Sequence, residues 1–145
     1  MGGRSGRDAG EPTQLSPILI DSSAWVEFLR GTGSYVCEEV DRLLEADIAI
    51  CDPVLMEVLA GARDPQHLVQ LRQLLLRAGM RHCRPEDYEA AALIYRRCQQ
   101  QGETVRRLID CLIAAVAIRE ELPVLQQDRD FDAIARHTAL ELHGG

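Results

Sequence analysis

The segment "LIDCLIAAVAI", Leu108 to Ile118, is apolar around the whole circumference of a helix except at Asp110. A helix with no polar face has to be covered on all sides, which places it inside a layered domain. Asp110 is then an anomaly. A carboxylate among Leu108, Ile109, Leu112 and Ile113 is costly to bury unless donors or a cation compensate its charge. The amino end of the helix supplies only part of that compensation. Two sources stay open at this point: a buried salt bridge to Arg106 or Arg107, and a divalent cation.

The flanking segments supply the layers. "PILID" has the pattern of a short buried strand and leads into "SSAWVEFLRG", a helix with Ala24, Trp25, Phe28 and Leu29 on one face and Gly31 as its stop. "SYVCEEVDRLLEA" continues the helical period, and "DIAIC" has the pattern of a second strand. Asp52 and Pro53 are expected as N-cap and first residue of a helix over "PVLMEVLAGA", and Asp64 and Pro65 repeat the signal for "QHLVQLRQLLLRAG". A third strand is expected at "MRHC". Pro85 opens a helix whose face carries Tyr88, Ala91, Ala92, Tyr95 and Cys98. "PVLQ" follows Leu108–Ile118 as a fourth strand, "DRDFDAIARH" as a short helix and "ALEL" as a last edge strand. Strands alternating with helices imply an α/β domain with a mainly parallel central sheet covered by helices on both faces.

At 145 residues the chain fits one domain. Residues 1–14, rich in Gly, Arg and Pro, are expected to be a flexible extension or an appended stretch, leaving residues 15–145 as the domain. No run of about 18 uncharged apolar residues appears, and the start lacks a signal-peptide core, so a cytoplasmic protein without a membrane span is expected. The five cysteines are odd in number, form no CxxC pair and lie in apolar-patterned segments, the mark of buried reduced thiols. His67, His82, His137 and His143 lack metal-ligand spacing and are expected at surface or packing positions. All basic residues are arginine, which excludes chemistries that require a lysine: P-loop phosphate binding and Schiff bases. The formal charge of -7 argues against a protein that coats nucleic acid by bulk electrostatics.

In an open parallel sheet the carboxyl ends of the strands share an edge with the amino ends of the following helices, and ligands bind there. Asp21 directly follows the first strand. Glu57 lies about one turn into the helix after the second. Asp110 opens the all-apolar helix, and Asp128 follows the fourth strand. Each has an ordinary reading alone: Asp21 and Asp128 as helix caps, Glu57 as a solvated helix residue. Together they form a carboxylate cluster, which persists chiefly when a hard cation offsets its self-repulsion. Oxygen-only ligation favours Mg²⁺ or Mn²⁺ over Zn²⁺. Such a site suits phosphodiester hydrolysis, with Arg72, Arg77, Arg81 and Arg84, Arg96 and Arg97, or Arg106 and Arg107 as candidate rims for a nucleic acid.

The motifs "ILIDSSAWVEFLRG", "VLMEVLAGA", "LIDCLIAAVAI" and "VLQQDRDFDAIA", in this order and spacing, resemble those of PIN-domain proteins, and among them the VapC-type toxins of bacterial toxin–antitoxin pairs. The resemblance covers Ile18 to the C-terminus. It implies a PIN-like three-layer fold and an Mg²⁺- or Mn²⁺-dependent endoribonuclease that forms homodimers and is restrained by a VapB-type antitoxin. The family's acidic quartet falls on Asp21, Glu57, Asp110 and Asp128. Its hydroxyl residue after the first acid falls on Ser23, and Asp130 resembles an auxiliary acid that binds metal through water.

A second reading, from another class, is an interaction module whose acidic pocket docks a partner's basic segment. A phosphatase of the haloacid dehalogenase type also places an Asp after its first strand. It needs a second Asp two residues on, where Ser23 stands, and a Lys that this chain does not have.

Overall fold

The structure is a computed structural model that describes residues 17–144; the extension expected over residues 1–14 lies outside them. Four strands form the sheet: β1 (Ile18–Ile20), β2 (Ile48–Cys51), β3 (Gly79–Arg81) and β4 (Val124–Leu125). Their order is β3-β2-β1-β4, and every pairing is parallel. Leu19 pairs with Ala49 on one side and Val124 on the other, so β1 is central. All four residues of β2 are buried, as a strand covered on both faces requires.

Seven helices flank the sheet among the described residues: α1 (Ser22–Arg30), α2 (Tyr35–Leu43), α3 (Asp52–Ala60), α4 (Pro65–Leu75), α5 (Pro85–Gln100), α6 (Leu108–Glu120) and α7 (Arg129–His137). α1 packs on α2 and α3, and α5, α6 and α7 pack on one another. α6 is the central helix the apolar sequence demands: Cys111 and Ile113 to Ala117 are all buried. Trp25, Phe131, Leu19, Ile20 and Ile113 are among the largest fully buried side chains.

Chain order explains where a ligand fits. From β1 the chain winds outward through β2 to β3, then crosses back through α5 and α6 to β4 on the other side of β1. The reversal falls between β1 and β4, and in sheets of this kind ligands bind beyond the carboxyl ends of the strands at such a point.

Four local expectations need correction. Asp52 is the first residue of α3 and does not cap it; its carboxylate accepts from the Cys83 N–H at 2.8 Å, beyond β3. The third strand runs Gly79–Arg81, one residue ahead of "MRHC" and two residues short of its end. "ALEL" forms only an isolated parallel bridge, Leu142 to Val124. The buried face of α5 is Asp87, Ala91, Ile94 and Cys98, while Tyr88 is 60% exposed. The shift has a polar cause: Asp87 is buried against Arg119 of α6, whose guanidinium donates to both carboxylate oxygens at 2.8 Å. A bidentate pair of that kind sets the rotation of α5 against α6.

Candidate active site

β1 ends at Ile20 and α1 starts at Ser22, which puts Asp21 at the junction. Its Oδ2 accepts from the Ser23 N–H at 2.9 Å and from the Ser23 hydroxyl at 2.6 Å. Ser23 Oγ in turn accepts from the Gln127 N–H at 2.9 Å, tying the end of β1 to the loop after β4. Those bonds use one carboxylate oxygen. The other, Oδ1, is buried and has no hydrogen-bond partner among the described residues. Burial raises the Asp21 carboxyl above its ordinary range, against the opposing bonds from Ser23.

Asp110 is the third residue of α6 and 1% exposed. Its Oδ2 is a second buried oxygen without a partner among the described residues. Burial first, then the charge of nearby Asp21, push its carboxyl up to about 8, with Arg107 pulling the other way. The salt bridge considered for Asp110 is not formed. Arg106 pairs with Asp128 and Asp130, Arg107 pairs with Glu57, and neither guanidinium bonds the Asp110 carboxylate.

Asp128 caps α7. Its Oδ1 accepts from the Asp130 N–H at 2.9 Å and from the Arg106 guanidinium at 3.0 Å. Asp130 is buried and accepts from the backbone N–H groups of Arg106 at 3.2 Å and Arg107 at 3.1 Å. It thereby fixes the entry to α6 and the position of Asp110. Burial works against its ionisation, but the Arg106 N–H, a contact with the Asp110 carboxyl and the Arg107 N–H together hold Asp130 below its ordinary value. Carboxylate oxygens of Asp110, Asp128 and Asp130 lie within 4.8 Å of one another.

Glu57, on α3, stands apart from that triad. Its Oε1 accepts from the Ser22 hydroxyl at 2.6 Å and its Oε2 from the Arg107 guanidinium. The structure thus gathers Asp110, Asp128 and Asp130 most tightly, sets Asp21 where its charge acts on Asp110, and joins Glu57 through Ser22 and Arg107. Five acids with two unpartnered buried oxygens are a donor set suited to a hard divalent cation.

A groove runs between α5, α6 and α7, lined by Leu93, Ile94, Ala115 and Ile118 among others, and none of the candidate acids lines it. Asp21 and Asp128 stand instead just past the carboxyl ends of β1 and β4.

Over residues 18–137, which include every strand and every one of these acids, the chain matches the PIN domain. It belongs to the PIN-domain family. Ribonuclease VapC11 of Mycobacterium tuberculosis is 48% identical over 130 residues, covering 86% of this chain and 96% of that protein. Among solved structures, VapBC2 from Rickettsia felis, bound to a DNA fragment from their promoter, superposes with a TM-score of 0.72 at 19% identity, over 88% of this chain and 98% of that one. A toxin–antitoxin complex from Klebsiella pneumoniae superposes with a TM-score of 0.64 at 18% identity, over 79% and 89% of the two chains. The last two speak for the fold alone.

Two contacts of this PIN domain's site were not legible in the sequence. Ser22 was given no role at the site, and Arg107 was weighed as a partner for Asp110 or, with Arg106, as a rim for a nucleic acid, not as a partner of Glu57. Their shared contact, Glu57, lies 35 residues from one and 50 from the other, so no local pattern links them.

Proposed function

We propose that this PIN-domain chain is the toxin of a toxin–antitoxin pair and an endoribonuclease that hydrolyses RNA phosphodiesters with Mg²⁺ or Mn²⁺. The observation that carries the reading is the pair of buried, unpartnered oxygens on Asp21 and Asp110, together with the clustering of Asp110, Asp128 and Asp130 within 4.8 Å of one another. An unpaired buried carboxylate oxygen is costly, and a cation removes that cost. The 48% identity to a protein named as a ribonuclease points to the same chemistry.

Asp21, Asp110 and Asp128 would hold the cation, with Asp130 close by and Glu57 at the rim. A divalent cation supplies a more acidic bound water and offsets charge developing on phosphate. The chain's own contribution is orientation. Ser23 holds Asp21 Oδ2 and leaves Oδ1 for a cation. Asp130 holds the start of α6 so that Asp110 does not follow solvent. Both bonds to Asp128 fall on Oδ1, which fixes that side chain by one edge.

The relatives' names point to a VapB-type antitoxin as one partner, and exposed apolar side chains to a second copy of this chain as another. Tyr88 and Leu93 of α5 are 60% and 58% exposed, which supports such a contact. No described helix is long and apolar enough to cross a membrane. The cytoplasm is where an RNA-cleaving toxin meets its substrate.

One observation favours a second reading, a module that docks a basic segment: the acids already accept two guanidinium groups, from Arg106 and Arg107. Sequencing the RNA ends made by purified protein with Mg²⁺ separates the two. Defined cuts that vanish with EDTA support the nuclease. Intact RNA under all conditions leaves the docking module.

A further inference from the structure

Both carboxylate oxygens of Glu57 are engaged within the chain, but by very different donors. Ser22 is buried and gives its hydroxyl to Oε1 at 2.6 Å. Arg107 gives its guanidinium to Oε2 from a side chain that is 45% exposed. One donor is fixed by packing, and the other stands at the mouth of the site.

The two arginines at that mouth are held unequally. Arg106 reaches Asp128 and Asp130 through two nitrogens. The Arg107 guanidinium has Glu57 as its one hydrogen-bond partner among the described residues. A single half-exposed ion pair is weak and exchanges readily. The guanidinium fork fits phosphate oxygens as well as carboxylate oxygens. Arg107 is also tied to the chemistry by the backbone, because its carbonyl accepts the Asp110 N–H at 3.0 Å. The Arg107 charge acts on Asp21 and Asp110 as well, so a phosphate that takes the place of Glu57 on Arg107 lies at the edge of the acidic site. In a chain with a formal charge of -7, an RNA strand approaching that site needs such a local cation.

We infer that Arg107 is a substrate-binding residue: it rests on Glu57 in the free chain and leaves it for a phosphate of the entering RNA, while Ser22 keeps Glu57 in place. The inference rests on the ribonuclease reading and deepens it.

The test is binding of a labelled single-stranded RNA by fluorescence anisotropy in EDTA, across a salt series, with melting curves to verify folding. Arg107→Ala should weaken binding about tenfold and flatten the slope of log affinity against log salt by roughly 0.7, the share of one phosphate contact on a single strand. Arg107→Lys, which keeps the charge, should keep the slope. Glu57→Gln should bind RNA a few-fold more tightly than wild type, because Arg107 then has no carboxylate to leave. Arg30→Ala, at the end of α1 away from Asp21, should change neither quantity. Wild-type affinity and slope in Arg107→Ala, an equal loss in Arg30→Ala, or no gain in Glu57→Gln overturns the assignment. So does a wild type that cuts RNA with Mg²⁺ yet binds none in EDTA. In those cases the nuclease reading stands if wild type still cuts; if it neither binds nor cuts RNA, both readings fall.

Discussion

Asp130 accepts the backbone N–H of Arg107 at 3.1 Å, so a carboxylate at the start of α7 closes the entry to α6. Removing it leaves the backbone N–H groups of Arg106 and Arg107 unpaired on the segment that positions Asp110. Asp130→Ala should therefore destabilise the metal-free chain by about 2 kcal/mol, which lowers the melting temperature by roughly 4–8 °C in a domain of this size. Asp130→Asn keeps an acceptor and should lose about half as much. Thermal melts in EDTA check both values; an unchanged melting temperature in Asp130→Ala would show that the cap carries no weight.

Asp110 should behave in the opposite way. It has no salt-bridge partner to strand, and its charge is opposed by burial and by Asp21. Asp110→Asn without metal should melt at or above wild type. It should also respond less to Mg²⁺, which stabilises a native-only site by about 2.7 kcal/mol at a free concentration a hundredfold above Kd. A lower metal-free melting temperature with an unchanged Mg²⁺ response would mark Asp110 as a structural charge instead.

The same burial sets a pH dependence. The folded Asp110 carboxyl lies at about 8 against an ordinary value of 3.8, a raised value, so its contribution is fully present below about 4 and is lost as pH rises towards 8. Asp21 is raised as well and acts in the same direction. Glu39 and Glu103 are lowered to about 2 by hydrogen bonds from Arg42 and from Arg136, so their contributions are lost only as pH falls below about 4.5. In EDTA, wild type should lose stability between about pH 5 and 8, and Asp110→Asn should lose less. Melts across that range test this; identical slopes for the two proteins would refute it.

How much of this was legible in the sequence depends on the kind of interaction. α6 was legible because an uninterrupted apolar helix has one physical solution, and Asp110 stood out by contrast with its neighbours. The acids at strand ends followed from the alternation of strands and helices. Partner choice was not legible. Arg106 and Arg107 adjoin α6, yet their guanidinium groups reach Asp128, Asp130 and Glu57, because the crossover to β4 and the approach of α3 decide what lies within reach. The face of α5 was misjudged for the same reason: Asp87 is polar by composition but buried by its pairing with Arg119. Periodicity reports burial of apolar groups, and it says nothing about a paired charge.

Backbone strain gives a prediction independent of the site. Glu121 ends α6 with φ 57, the only positive-φ residue other than glycine among the described residues. Glu121→Gly removes a left-handed penalty of about 1–2 kcal/mol and adds chain entropy to the unfolded state worth about 0.5–1 kcal/mol. A net gain of roughly 0.5 kcal/mol is expected, measurable by urea denaturation. A loss of stability would mean the Glu121 side chain contributes more than its backbone costs.

The proposed activity requires Asp21 and Asp110 to hold a cation with which the chain cuts RNA. It is tested most directly by the cleavage rate of one RNA as Mg²⁺ is titrated, for wild type, Asp21→Asn and Asp110→Asn. Wild type should show no cleavage in EDTA and a saturable rise with Mg²⁺, and each variant should fall by roughly a thousandfold at saturating metal while remaining folded. Cleavage that is indifferent to EDTA, or near wild-type rates in both variants, would contradict the account.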